Sequence, residues 1–92
     1  MRLLPPTEAA SYLINLPAWK VETGKLTRNF EFEDFRDSLR FVNRVGNLAE
    51  EAGHHPDIEI RYNRVRLSLV SHDAGGLTDM DFELATRIDE LT

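Results

Sequence analysis

Residues 58–69 read IEIRYNRVRLSL, and apolar side chains alternate there with charged or polar ones on both sides of a polar break. Alternation with period two is typical of β-strands that bury one face. A two-residue turn at Asn63-Arg64 would join the two runs into a hairpin. That register makes one face of the hairpin wholly apolar and pairs Ile58 with Leu69, Ile60 with Leu67 and Tyr62 with Val65.

The segments around this hairpin predict three helices and a second hairpin. Period-two alternation between Trp19 and Phe32, interrupted at Gly24, predicts two more strands. Helical spacing indicates three helices: one capped by Thr7 and ending before Pro17, one from Asp34 to Gly53, and one from Thr78 to Leu91. Thr78-Asp79-Met80-Asp81 resembles a capping box with Asp in place of Glu. The predicted fold is α+β: a four-stranded antiparallel sheet with three helices packed on one face, in the order α-β-β-α-β-β-α.

Length and composition restrict the kinds of protein that this can be. The chain has 92 residues, no cysteine and a formal net charge of -5. We expect one domain over residues 1–92, no thiolate metal site and no direct contact with nucleic acid, whose backbone requires a surplus of cations. No apolar run approaches the roughly 20 residues of a membrane span, so we expect a cytoplasmic protein that has no membrane contact.

The histidines are the chemically distinctive residues. The chain has three, His54, His55 and His72, and the predicted register places His55 opposite His72. All three imidazoles would then gather at one end of the sheet, and imidazole titrates near neutral pH. Adjacent strand residues point to opposite faces, so His54 and His55 can share a site only if the backbone is irregular there. The flanking Gly53 and Pro56 make that possible.

Three interpretations of these histidines remain open on spacing alone: solvated surface residues, a three-histidine zinc site, or acid–base chemistry without a metal. Two acidic residues are candidate partners. Glu50 lies one helical turn before His54, where it could hold a histidine tautomer or simply be solvated. Asp81 could contact a ligand, although capping already explains it. Trp19 is a candidate core residue or a platform for a flat heterocycle.

In order, these residues resemble the motif of the pterin-4a-carbinolamine dehydratases. The motif is Glu50-x-x-x-His54-His55-Pro56, then five residues to Tyr62, nine to His72 and eight to Asp81. Flanking matches extend the resemblance from about Leu13 to Leu91. They are Trp19, the run Phe30-x-Phe32-x-x-Phe35, Ala49-Glu50 and Gly75-Gly76-Leu77-Thr78.

The resemblance implies an enzyme that dehydrates a 4a-hydroxytetrahydropterin to the quinonoid dihydropterin in the recycling of a pterin cofactor. It implies no metal and no organic cofactor, and a homodimer or homotetramer. By this likeness His54, His55 and His72 are the acid–base and pterin-orienting set. Glu50, Asp81 and Trp19 would support pterin binding, and the pterin wall would consist of Pro56, Ser71, His72, Asp73 and Ala74. The alternative is a non-catalytic interaction module, because animal relatives also serve as dimerisation cofactors of a transcription factor.

Overall fold

The structure is a computed structural model and describes residues 2–92. It contains the predicted elements in the predicted order. The helices are α1 (Pro6–Leu13), α2 (Phe35–Ala52) and α3 (Asp79–Asp89), with a short 3-10 turn at His72–Ala74, and the strands are β1 (Lys20–Glu22), β2 (Lys25–Glu31), β3 (Asp57–Arg61) and β4 (Arg64–Leu69). Within residues 2–92, no helix is both long enough and apolar enough to cross a membrane.

The four strands form one antiparallel sheet in the order β1-β2-β4-β3. On the central strand β4, Val65, Leu67 and Leu69 are at most 1% exposed, while the residues between them are not buried. This alternation turns one face of the sheet toward the helices. Val45 of α2 and Leu84 and Ile88 of α3 join the same buried cluster. The α+β prediction is confirmed.

The predicted register of the second hairpin is wrong by two residues. Ile60 pairs with Val65 and Ile58 with Leu67, so the turn consists of Tyr62 and Asn63. A shift of two residues keeps the same side chains on the same face, which is why the apolar face survives. Tyr62 leaves the strand and adopts φ 52 at the turn, with its side chain 64% exposed.

A contact outside the hairpin accounts for this register. The N–H of Phe32 donates to the carbonyl of Asn63 at 2.8 Å, and Nδ2 of Asn63 donates to the carbonyl of Phe32 at 3.1 Å. Both bonds continue the pairing of β2 with β4 beyond the strand ends. In line with them, Arg64 pairs with Glu31 of β2, so Arg64 belongs to β4 and the turn lies one position earlier than predicted, at Tyr62 and Asn63.

The helix boundaries agree with the sequence prediction except at the start of α1. The α1 helix begins at Pro6 rather than after Thr7, with Pro5 in extended conformation as the capping residue. Proline suits the first helical position because its missing N–H would have no partner there. Asp34 caps α2 through a bond from the Asp37 N–H.

Candidate active site

The end of α2 brings the two neighbouring histidines out of the helix. Gly53 adopts φ 63, and the N–H groups of Gly53 and His54 donate to the carbonyls of Glu50 and Ala49. This is the Schellman arrangement, in which a left-handed residue reverses the chain and satisfies the last carbonyls of the helix. His54, His55 and Pro56 then lie outside both α2 and β3. The predicted irregular backbone is present.

His54 is held by a buried carboxylate. Its Nε2 lies 2.5 Å from Oδ1 of Asp81, and the exposed fractions of the two side chains are 11% and 0%. An ionised carboxylate can only accept hydrogen bonds, so Nε2 carries the proton in this contact. We therefore assign the neutral ring the Nε2–H tautomer, which leaves the lone pair on Nδ1. Within residues 2–92, every buried side-chain nitrogen or oxygen has a hydrogen-bond partner. Nδ1 of His54 makes no hydrogen bond, so this atom is accessible to solvent.

His55 has an equivalent contact in an exposed setting. Its Nε2 lies 2.5 Å from Oε2 of Glu50, with the two side chains 62% and 77% exposed. The same reasoning places the proton on Nε2 and leaves Nδ1 available. Two adjacent histidines thus have the same tautomer, one braced in the protein interior and the other at the surface.

The third histidine joins them across a shallow pocket of about 260 Å³. His72 opens the 3-10 turn that follows β4, and it is exposed. His55 and His72 were predicted to lie opposite each other on paired strands, but neither residue belongs to a strand, so that pairing is wrong. The two residues nevertheless line the same pocket. The pocket is lined by Gly53, His54, His55, Val70, Ser71, His72, Asp73 and Met80.

The other predicted site residues take different positions. Glu50 and Asp81 contact the histidines without lining the pocket themselves, Asp81 from a buried position and Glu50 from the surface. Pro56 and Ala74 adjoin lining residues in the chain without lining the pocket themselves.

Trp19 requires a correction because it does not line this pocket. Its side chain is buried, and its Nε1 donates to Oδ1 of Asp89 at 2.7 Å. Asp89 closes α3, whereas Asp81 lies in its first turn. The structure therefore assigns Trp19 to the core.

Sequence reasoning did not anticipate three residues near the site: Val70, Met80 and Thr78. The first two lie beside predicted site residues in the chain, and that adjacency was the only available signal. Thr78 was predicted as a helix cap and as a flanking match to the family motif, but not as a site residue. Its hydroxyl also lies 2.7 Å from that of Ser71, which is a contact between residues seven positions apart.

Two features bear on other kinds of site. A larger hollow, about 660 Å³, lies on the sheet, and its lining contains arginines and glutamates but no histidine. Across residues 2–92, no group of three or more His, Cys, Asp or Glu side chains is arranged to hold a metal ion. The pocket with the three imidazoles is therefore the candidate active site.

The sequence of this chain matches one protein family over nearly its whole length. Residues 2–91 match the profile of the family described as pterin 4 alpha carbinolamine dehydratase. This chain belongs to that family. A protein of Acidobacterium capsulatum is 55% identical over 91 residues, covering 99% of both chains, and one of Chloroflexus aurantiacus is 52% identical over 91 residues, covering 99% of this chain and 98% of the other. Both relatives are provisionally named pterin-4-alpha-carbinolamine dehydratases.

Two solved structures have a similar architecture. A crystal structure of a transcriptional coactivator/pterin dehydratase from Brucella melitensis superposes with a TM-score of 0.92 at 30% identity, covering 99% of this chain and 98% of the other. A pterin dehydratase-like protein described as a RuBisCO assembly factor in the alpha-carboxysome reaches a TM-score of 0.64 at 24% identity, covering 79% and 84%. The second likeness concerns the fold alone.

Proposed function

We propose that the histidine pocket catalyses the loss of water from a 4a-hydroxytetrahydropterin, yielding the quinonoid dihydropterin. The observation that carries this proposal is the pair of histidines whose Nε2–H groups are held by Asp81 and Glu50, with both Nδ1 atoms available. Family membership supplies the substrate class. The enzyme would return the oxidised pterin of a hydroxylase to the recycling route.

The reaction needs one acid and one base. The acid protonates the 4a oxygen, the C4a–O bond breaks with its electrons leaving on water, and the base takes a proton from the ring nitrogen as the new C=N bond forms. No electrons are transferred to or from the protein. A positioned acid or base typically contributes about 10²–10⁴ in rate.

The surroundings of the two histidines suggest how these roles divide. The His54 ring is mostly enclosed and is backed by the buried Asp81 carboxylate, which would stabilise the imidazolium formed when Nδ1 accepts a proton. The His55 ring is open to water, so its Nδ1 can take a proton from solvent before each turnover and then deliver that proton to the 4a oxygen, while Nε2–H stays bonded to Glu50. We assign His54 as the base and His55 as the acid, with His72 orienting the pterin from the opposite wall.

A stopped-flow absorbance assay tests the activity directly. Freshly generated 4a-hydroxytetrahydropterin is mixed with protein treated with a chelator, and the formation of the quinonoid product is followed against the uncatalysed reaction. We expect acceleration that is unchanged by the chelator. If a folded protein gives no acceleration, the proposal is overturned. If the acceleration disappears with chelation and returns with zinc, the metal-free mechanism is overturned.

A second candidate function is a protein-interaction module, favoured by apolar side chains left exposed on one surface. Phe35 and Leu39 of α2 and Tyr62 of the adjacent turn are 46%, 40% and 64% exposed and line a common hollow. A partner protein or a second copy of the chain, as expected for a dimer or tetramer, would cover such groups. Substituting the histidines separates the two functions, because an interaction module survives their loss and a dehydratase does not.

A further inference from the structure

Three buried side chains form a hydrogen-bonded chain behind the histidine pocket. Ser71, Thr78 and Asp81 are 2%, 1% and 0% exposed. Oγ of Ser71 lies 2.9 Å from Oδ2 of Asp81 and 2.7 Å from Oγ1 of Thr78. The backbone N–H of Thr78 also donates to Oδ2 at 2.9 Å. We call Ser71, Thr78 and Asp81 the buried polar chain.

The direction of each hydrogen bond follows from what each group can donate. The ionised Asp81 carboxylate only accepts, so the Ser71 hydroxyl donates its single proton to Oδ2. Oγ of Ser71 must then accept the proton of the Thr78 hydroxyl. Oδ1 of Asp81 is left to the Nε2–H of His54. The hydroxyl bonds run in one direction toward the carboxylate, and hydrogen bonds aligned in this way strengthen one another.

Ser71 also holds the segment that carries the third histidine. Its carbonyl accepts from the N–H groups of Ala74, Gly75 and Gly76, and its own N–H donates to the carbonyl of Gly76. These bonds close the turn in which His72 lies next to Ser71. One residue therefore contacts the carboxylate behind His54 through its side chain and shapes the His72 turn through its backbone.

We propose that the Ser71 hydroxyl is a positioning group that orients the Asp81 carboxylate, and through it fixes the Nε2–H tautomer of His54. This rests on the proposed function in that His54 is taken to exchange a proton with substrate through Nδ1. Ser71 acts through Asp81, because its hydroxyl is buried and its one proton is already donated to Oδ2. This role of the hydroxyl comes in addition to the place of Ser71 in the pocket lining.

Ser71 isolates this effect better than Asp81 does. Removing the Asp81 carboxylate would also remove the cap on the Thr78 N–H and leave a buried hydroxyl without its acceptor. Ser71→Ala deletes one oxygen and removes the acceptor of the Thr78 hydroxyl, but it leaves Oδ2 with the Thr78 N–H as donor. We expect kcat to fall about 10-fold with little change in KM, because the Asp81 carboxylate would still be held by one donor.

Nitrogen NMR of histidine-labelled protein tests the proposal without substrate. In the wild type, the neutral His54 ring should show a protonated Nε2 and an unprotonated Nδ1. Ser71→Ala should produce a mixture of the two tautomers, while Ser71→Thr, which retains the hydroxyl, should restore the wild-type pattern and the wild-type kcat. The matched control is Thr86→Ala, which deletes a hydroxyl bonded to the Phe82 carbonyl on the same helix as Asp81. It should leave the His54 signals unchanged.

The outcomes separate this inference from the proposed function. If folded Ser71→Ala keeps a single Nε2–H tautomer at His54, the positioning role is overturned, whatever happens to the rate. If Ser71→Ala mixes the tautomers but the wild-type protein does not accelerate dehydration, the positioning role holds and the dehydratase proposal fails. If Ser71→Ala does not fold, the same NMR measurement is made on Ser71→Cys. A thiol is a weak donor, so we expect a tautomer ratio between those of a full donor and no donor, and a single Nε2–H tautomer would overturn the positioning role.

Discussion

His54 and His55 are neighbours in the chain but differ in their surroundings. The His54 side chain and its partner Asp81 are 11% and 0% exposed, whereas the His55 side chain and its partner Glu50 are 62% and 77% exposed. Removing His54 would leave the buried Asp81 carboxylate without its histidine partner, and this would lower the free energy of unfolding. His55 and His72 are therefore the better positions at which to test the chemistry.

At these two positions, His55→Ala and His72→Ala should each lower the catalysed rate of dehydration by about 10²-fold. Both side chains are exposed and lie outside the core, so the unfolding transitions should match that of the wild type. Stopped-flow rates and thermal denaturation check both statements. Wild-type rates in both variants would contradict the mechanism.

Glu50→Gln should have a smaller effect than either histidine substitution. The Glu50 carboxylate is largely exposed, and pairs in such settings typically contribute about 0–1 kcal/mol, which corresponds to less than about 6-fold in rate. The same stopped-flow assay compares the three variants. If Glu50→Gln were the most damaging, the roles assigned to the carboxylate and the histidines would be wrong.

At the scale of the elements, the end of α2 determines where the site begins. Gly53 has φ 63, and a Cβ added there would have no heavy atom within 4 Å, so backbone conformation alone opposes a side chain. Gly53→Ala should lower the free energy of unfolding by about 1 kcal/mol and reduce the rate by displacing His54. Urea denaturation and the dehydration assay provide the two measurements.

The matched control for Gly53 is in the same helix. Gly46 lies within α2 and also has nothing within 4 Å of an added Cβ, but its φ is not positive. Gly46→Ala should therefore raise the free energy of unfolding by up to about 1 kcal/mol. Equal effects of the two substitutions would show that the left-handed conformation at Gly53 carries no cost.

The β1–β2 hairpin contributes stability that depends on pH through Glu22. A hydrogen bond from the Thr27 hydroxyl, a hydrogen bond from Arg66 and the nearby Lys20 charge lower the pKa of Glu22 below its ordinary value of 4.5. Because the pKa is lower in the folded state, this stabilisation is complete above pH 4.5 and disappears as the pH falls through the folded value.

Glu22→Gln should accordingly lower the melting temperature at pH 7 and have a smaller effect at pH 3. Thermal denaturation of wild type and variant at both pH values measures the two differences. Glu90→Gln is the charge-matched control, because the Glu90 side chain makes no hydrogen bond or ion pair with residues 2–92. A loss for Glu22→Gln that stays the same at pH 3 would contradict the assignment.

At the scale of the whole molecule, α3 links two separate polar centres. Asp81 near its start serves the histidine pocket, and Asp89 at its end accepts from Nε1 of Trp19 and Nη1 of Arg28. Eight residues of helix separate the two carboxylates by about 12 Å along the axis. The second centre ties the start of β1 and strand β2 to α3 and has no part in the pocket.

Trp19→Phe should therefore affect stability and leave catalysis unchanged. It removes the Nε1–H donor to a carboxylate and part of a buried ring, which should lower the free energy of unfolding by about 1–3 kcal/mol. Chemical denaturation, followed by circular dichroism, measures the stability. The dehydration assay, run at a temperature where the variant is folded, measures the catalysis. A fall in kcat with unchanged stability would contradict the structural role and indicate that Trp19 acts in the active site.

Several features of this protein are predictable from its sequence because they depend on near neighbours in the chain. Alternation places Val65, Leu67 and Leu69 on one face, Gly53 ends α2, and Thr78 and Asp81 form the cap of α3. Each involves residues within a few positions of one another, where chain geometry leaves few alternatives. The spacing of the histidine motif identifies the family for the same reason, since it is a property of the linear order.

Contacts between distant segments required the tertiary structure. The pairing of Arg64 with Glu31 of β2 sets the register of the second hairpin, and the bond from Trp19 to Asp89 gives the tryptophan a structural role. The brace between Asp81 and His54 joins positions 27 residues apart. Sequence spacing shows that such residues are present, but which of them meet depends on how the helices pack on the sheet, because burial decides which polar groups need a partner.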